Sequence, residues 1–138
     1  NQKNKINFQN DDLEDVISSR TFGLYEDIEK IRKLGLAKGG SLENALVVDK
    51  DKILNEGGLR NVKEFVNHKI LDLAGDFLLS GYRILGNVKC NQGGHELTNK
   101  FLRKLLNIES AFEEVEVKDI VISEKIKSIQ STKIAVNA

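Results

Sequence analysis

Leu13, Val16 and Ile17 recur at helical spacing directly after Asp11 and Asp12, whose carboxylates suit a helix start by capping and by the macrodipole. Before them, Lys5 to Gln9 reads as a short strand. Arg20 to Tyr25 reads as extended, because Thr21, Phe22 and Tyr25 favour β structure. Glu26 to Leu34 predicts an amphipathic helix: Ile28, Ile31 and Leu34 share a face, Glu29 is expected to pair with Lys33 at i,i+4, and Gly35 is placed to cap the end. Gly39-Gly40-Ser41 marks a turn, and the apolar run Ala45 to Val48 a buried strand. Strand, helix and strand within some thirty residues have the size of a βαβ unit.

Gly57-Gly58 breaks the chain again. From Val62 to Leu79 the periodicity predicts the longest helix, with Val66, Ile70, Leu73, Ala74 and Phe77 on one face and Gly81 at its end. Ile84 to Lys89 reads as a strand and Gly93-Gly94 as a loop. Glu96 to Leu106 reads as a helix with Leu97, Phe101, Leu102 and Leu105 facing inwards. Ala111 to Val117 alternates weakly, as a strand would, and residues 124–138 read as an edge strand or flexible tail. Alternating strands and helices put the fold in the α+β or α/β class. Neither a repeat nor a linker interrupts the chain, so residues 1–138 read as a single domain.

Composition narrows the function more than the fold. The 21 basic and 21 acidic residues cancel, so charge argues for neither a nucleic-acid partner nor electrostatic capture by a membrane. No apolar stretch has the roughly 20 residues of a transmembrane helix, and the polar start lacks the apolar centre of a signal peptide. The single cysteine, Cys90, has no intrachain partner and fits a reducing compartment; the expectation for it is a small buried hydrophobe. The chain contains no methionine, and is therefore read as a processed or cut piece of something longer.

Two places carry candidate chemistry. On the longest helix, His68 and Asp72 stand four apart, so their side chains share a face and could reach one metal ion; Asp76 continues the stripe by a turn. On the helix wheel alone such a stripe is most often solvated surface, but Phe65 projects into the middle of it, as it would beside a cleft or another domain. The second place is Gly93-Gly94-His95, where a histidine follows backbone that a ligand can approach closely. Histidine is the usual general acid or base near neutral pH. The alternative is a histidine that only packs or caps a helix start.

Five ordered segments then resemble one family. They are Arg20-Thr21-Phe22-Gly23; Gly39-Gly40-Ser41 with Ala45-Leu46-Val47-Val48-Asp49; Leu54-Asn55-Glu56-Gly57-Gly58-Leu59-Arg60; Glu64 to Asp72 with Gly75-Asp76; and Gly94-His95-Glu96-Leu97-Thr98-Asn99-Lys100. Together, from about Arg20 to Leu106, they resemble the C-terminal half of the UDP-3-O-acyl-N-acetylglucosamine deacetylases, the zinc amidases of lipid A biosynthesis.

The resemblance implies an α+β fold: a two-layer sandwich of a mixed β-sheet on two main helices, with residues 21–49 as a βαβ insert forming a passage for the substrate's acyl chain. It implies Zn2+ held by His68 and Asp72, with a third ligand and a general-base glutamate supplied by an N-terminal domain of the same enzyme. Thr21 would donate a hydrogen bond to the oxyanion, His95 would protonate the leaving amine, and Asp76 would hold His95 and favour its imidazolium form. Lys69 would meet the nucleotide phosphates, with Phe22, Gly23 and Leu42 also contacting the substrate, and Leu42, Ala45 and Leu46 giving the passage its apolar character. The family location is the cytoplasm of Gram-negative bacteria. One departure is Gln92, where the family commonly carries a lysine that would contact phosphate. Two zinc ligands fall short of the usual three, so the chain alone is expected to be inactive and to bind zinc weakly. An uncovered interdomain face would also allow it to dimerise or to act as a non-catalytic assembly module.

Overall fold

The computed structural model describes residues 1–116. The expectations for Val117 and for the tail at 124–138 fall outside the described residues. Packing divides the chain into two compact units, Asn1–Leu71 and Asp72–Ala138.

In the first unit, helix α1 (Glu14–Ile17) begins where Asp12 Oδ1 accepts the Glu14 N–H at 2.9 Å, and it buries Val16. Strand β1 (Thr21–Leu24) follows, and helix α2 (Tyr25–Lys33) crosses over to strand β2 (Ala45–Asp49), which pairs parallel with β1. Strand β3 (Lys52–Ile53) returns antiparallel to β2, giving a mixed three-stranded sheet in the order β1-β2-β3 among the described residues. The expected βαβ unit is therefore present, with Phe22 opposite Leu46.

Gly35 closes α2 as expected. At φ +74° it lets its own N–H reach the Arg32 carbonyl (2.9 Å) and that of Leu36 reach Ile31 (3.1 Å), a two-bond close in which a side-chained residue would be strained. Among the described residues the ion pair on α2 joins Asp27 and Lys30, at 2.9 Å and three apart, rather than the expected Glu29 and Lys33.

The centre of β2 forms the core of this unit, with Leu46 and Val47 buried. Beside it Asn55, also buried, accepts the Val47 N–H (2.9 Å) and donates to the carbonyls of Leu42 (2.7 Å) and Ala45 (2.8 Å). One amide thus satisfies backbone groups that a further strand would otherwise have to meet.

Helix α3 (Glu64–Phe77) is the longest described, and the division between the two units falls within it. Asn61 sets its start, accepting the Lys63 N–H on Oδ1 (3.0 Å) and the Glu64 N–H on its carbonyl (3.1 Å). A 3-10 turn, Leu78–Ser80, follows and ends on Gly81 at φ +80°. Burial on α3 corrects the helix wheel. Its buried residues are Glu64 and Asn67, whereas Val66, Ile70, Leu73, Ala74 and Phe77 are only half-buried. Polar side chains form the best-packed face because each has hydrogen-bond partners. Asn67, for instance, accepts from Asn4 (2.7 Å) and donates to Asn61 (3.1 Å).

In the second unit, helix α4 (His95–Leu106) buries Thr98 and Leu102, with Leu97, Phe101 and Leu105 half-buried. Phe101 meets Phe77 with ring centroids 5.9 Å apart. The mixed sheet and four helices of the described residues make the protein α+β. None of those helices is long and apolar enough to cross a membrane.

Three expected strands are absent among the described residues. Lys5 to Gln9 runs into a turn locked by side chains: Asn7 Oδ1 accepts the Gln9 N–H (3.0 Å) and Asp11 Oδ2 the Asn7 N–H (2.7 Å). Asn and Asp offer the backbone an alternative to a ladder, and here that alternative wins. Ile84 to Lys89 has no ladder partner among the described residues. The start of the segment from Ala111 to Val117 is taken by a 3-10 turn over Glu109–Ala111, and residues 112–116 form no strand. Cys90, expected to be buried, is exposed on a loop, where a Cβ at Gly93 would collide with its Sγ.

Candidate active-site residues

The residues singled out from the sequence fall into two groups, one in each unit. The first is organised around Glu64. Its carboxylate, fully buried, accepts hydrogen bonds from Arg20 Nε (2.8 Å), Arg20 Nη2 (3.1 Å), the Arg20 backbone N–H (3.1 Å) and the Arg60 backbone N–H (2.6 Å). Arg20 Nη2 also donates to the Gly58 carbonyl at 2.8 Å.

Burial by itself pushes the Glu64 carboxyl upwards. The guanidinium and backbone hydrogen bonds, with the Arg20 charge, more than reverse this and bring its pKa down to about 2. Arg20 is correspondingly raised by its bond to Glu64, against the opposing effect of burial.

This clamp joins the start of β1 to the first turn of α3. One residue before Arg20, the Ser19 carbonyl lies 3.2 Å from His68 Nδ1. A carbonyl oxygen only accepts, so Nδ1 is the donor and the neutral ring carries its lone pair on Nε2. Two residues after Arg20, the Phe22 ring stands edge-on to Phe65 (5.0 Å, 89°) and 6.2 Å from the His68 ring. The Lys69 ammonium lies 5.3 Å from the Phe22 centroid, within cation–π range. Phe22, His68 and Lys69 are thus brought together.

Thr21 and Gly23 flank Phe22 on β1, with Thr21 exposed. Leu42 lies exposed in the loop before β2. Leu46, expected to help line an apolar passage, has no exposed surface: it belongs to the sheet core and has no face to offer a ligand.

The second group is Asp76 and His95. Asp76 projects from the last turn of α3, and His95 is the first residue of α4. Both Asp76 oxygens lie 2.9 Å from His95 Nδ1, so Nδ1 again donates and Nε2 is the ring's outward atom. The Asp76 side chain is 15% exposed and that of His95 70%, so the carboxylate is the fixed partner and the imidazole the presented one. An open hollow of about 440 Å³ lies against Gln92, Gly94, His95, Glu96, Leu97 and Lys100. Within it Lys100 and Glu96 pair at 2.6 Å.

Asp72 stands four residues after His68 on α3. Imidazole and carboxylate are both ordinary zinc ligands, and a ring with its proton fixed on Nδ1 is in the form that ligates through Nε2. Among the described residues, however, no three His, Cys, Asp or Glu side chains gather to hold a metal. His68 and Asp72 are of donor types that zinc takes, two where a catalytic zinc site uses three protein ligands.

Arg20, Glu64 and Asn55 carry roles that the sequence did not disclose, although all three lie in the segments it singled out. A signal existed for Glu64. Asn61-Val62-Lys63-Glu64 has capping-box spacing, in which the glutamate should turn back to the N–H of residue 61. Instead it takes the N–H groups of Arg20 and Arg60.

Each unit thus holds one histidine whose Nδ1 is oriented by an oxygen acceptor, and comparison with known proteins gives the class. Residues 1–107 match the family described as UDP-3-O-acyl N-acetylglycosamine deacetylase. The UDP-3-O-acyl-N-acetylglucosamine deacetylase of Hahella chejuensis is 50% identical over 107 residues, 78% of this chain and 35% of the relative. The enzyme of the same name from Pseudoalteromonas translucida is 50% identical over 101 residues, 73% of this chain and 33% of the relative. The chain belongs to the UDP-3-O-acyl-N-acetylglucosamine deacetylase family. It spans about a third of the length of these curated relatives.

Proposed function

We propose that the chain is the C-terminal portion of a zinc-dependent deacetylase that hydrolyses the acetamide of UDP-3-O-acyl-N-acetylglucosamine in lipid A biosynthesis, in the cytoplasm. Family membership over residues 1–107 supports the substrate and reaction class. The observation that carries the catalytic assignment is the pair of 2.9 Å contacts from Asp76 to His95 Nδ1.

His68 and Asp72 are two of the protein ligands of the zinc in this reading. Bound zinc supplies Lewis acidity and a water of lowered pKa. The chain's own residues bind, orient and move a proton. Asp76 holds the His95 ring by Nδ1–H, so the doubly protonated ring donates from Nε2 to the departing amine. Thr21 offers its hydroxyl to the oxyanion, a contact that stabilises developing charge. Lys69 serves the nucleotide phosphates as a point charge. Phe22, Gly23 and Leu42 contact the substrate beside β1 and the loop before β2.

Two ligands do not make a catalytic zinc site, so the isolated chain holds zinc weakly and does not turn over substrate. The test is zinc content and deacetylase activity, measured on the chain alone and mixed with the remainder of the enzyme. Stoichiometric zinc and turnover only in the mixture are expected. Zinc-dependent turnover by the 138 residues alone would refute the reading.

A further inference from the structure

His68 Nδ1 meets a backbone carbonyl, that of Ser19 at 3.2 Å, rather than a side chain. Whatever places that carbonyl therefore selects the ring's tautomer. Ser19 is buried, with its hydroxyl on the Asp15 carbonyl at 2.6 Å and its N–H on Val16 at 3.3 Å. These bonds tie it to α1. Towards α3, Arg60 donates from Nη1 to the Ser18 carbonyl (2.7 Å) and Asn61 from Nδ2 to Ser19 Oγ (3.4 Å), and the firmest tie is made by the next residue, Arg20, whose backbone N–H and guanidinium both end on Glu64. Glu64 lies four residues before His68, one turn earlier on α3. The clamp thus spans the two elements whose separation sets the Ser19–His68 distance.

We propose that the Arg20–Glu64 pair is a positioning pair for His68. It holds the Ser19 carbonyl on His68 Nδ1, so the neutral ring keeps its proton there and its lone pair on Nε2, and it fixes the start of β1 with Thr21 and Phe22. The purpose of that tautomer rests on the zinc reading of His68, but the arrangement itself does not.

Stability alone is a poor account of the pair. A buried ion pair is often replaced by apolar side chains of similar volume without loss of stability. Apolar replacements would, however, leave the Arg20 and Arg60 N–H groups without their acceptor and loosen the chain at Ser19, which would keep only its bonds to α1 and the weaker ties from Arg60 and Asn61. A lysine at position 20 would retain the charge but lose the two-point grip of the guanidinium fork.

The test is the tautomer of His68, read from long-range 1H–15N correlations of the imidazole in the metal-free full chain above about pH 8, where an ordinary imidazole is neutral. The variants are Arg20→Lys, the double replacement Arg20→Met with Glu64→Leu, and Asn55→Ala as a control that weakens the sheet without touching residues 18–20. The parent chain is expected to show the Nδ1–H form. In Arg20→Lys and in the double variant the Nδ1–H share should fall about two-fold or more, towards the mixture of a free imidazole. In Asn55→Ala it should not move. A folded double variant, or Arg20→Lys, that keeps His68 wholly in the Nδ1–H form would overturn the proposal, as would an Nε2–H form in the parent. Neither result depends on zinc, so the positioning role and the zinc reading fail separately.

Discussion

Both carboxylate oxygens of Asp76 lie 2.9 Å from Nδ1 of His95, the first residue of α4. Asp76→Asn keeps the shape but puts an amide where one oxygen was, and it removes the charge opposite the ring. In the completed enzyme, kcat is expected to fall about 10- to 100-fold, the usual cost of losing an orienting partner. The melting temperature should hardly change, because the imidazole is largely exposed. Steady-state kinetics beside thermal denaturation checks both.

Acid should unfold the first unit through Glu64. Its pKa is depressed from 4.5 to about 2, so its contribution is fully present above pH 4.5 and is lost as the pH falls through 2. At about 1.4 kcal/mol per pH unit the loss amounts to roughly 3 kcal/mol. Urea denaturation at neutral pH and near the lower limit should show it. Glu64→Gln, less stable at neutral pH, should lose most of that slope.

Breaking the clamp from one side is more damaging than removing it whole. Arg20→Ala leaves a buried carboxylate with only two backbone donors and is expected to cost about 3–5 kcal/mol. Asn55→Ala strands the Val47 N–H and two carbonyls, at a cost of about 1–3 kcal/mol. Chemical denaturation of both variants gives the order.

Two glycines should respond with opposite signs. Gly75 lies inside α3 with nothing within 4 Å of an added Cβ, so Gly75→Ala should stabilise the helix by about 0.5–1 kcal/mol. Gly35 closes α2 at φ +74°, so Gly35→Ala should destabilise by about 1 kcal/mol. Thermal melts of the pair decide it.

The elements legible in the sequence were those held by local forces. α2, α3 and α4 follow from their apolar periodicity, and the parallel pairing of β1 with β2 from the length of chain between them. The failures were strands, whose hydrogen bonds lie far away in sequence. Lys5 to Gln9 and Ile84 to Lys89 have β-like composition, but composition does not supply a ladder partner. For the candidate site, motifs picked out His68, Asp76 and His95 individually. The hold of Asp76 on His95 was anticipated through the family resemblance, whereas the carbonyl that orients His68 was not visible. Ser19 acts through its backbone, which no side-chain pattern encodes, and Arg20 and Glu64 lie 44 residues apart.

Gln2 has a consequence for anyone handling the protein. Its amide donates to the Val62 carbonyl at 2.8 Å and accepts the Val66 N–H at 3.1 Å, while Asn4 bridges Lys63 (2.9 Å) and Asn67 (2.7 Å). Residues 2–4 are therefore a clasp on the start of α3, roughly sixty positions further along, and any cut in the chain must leave them attached to it. Gln2→Ala would bare the Val66 amide to solvent, and hydrogen exchange there would register the loss.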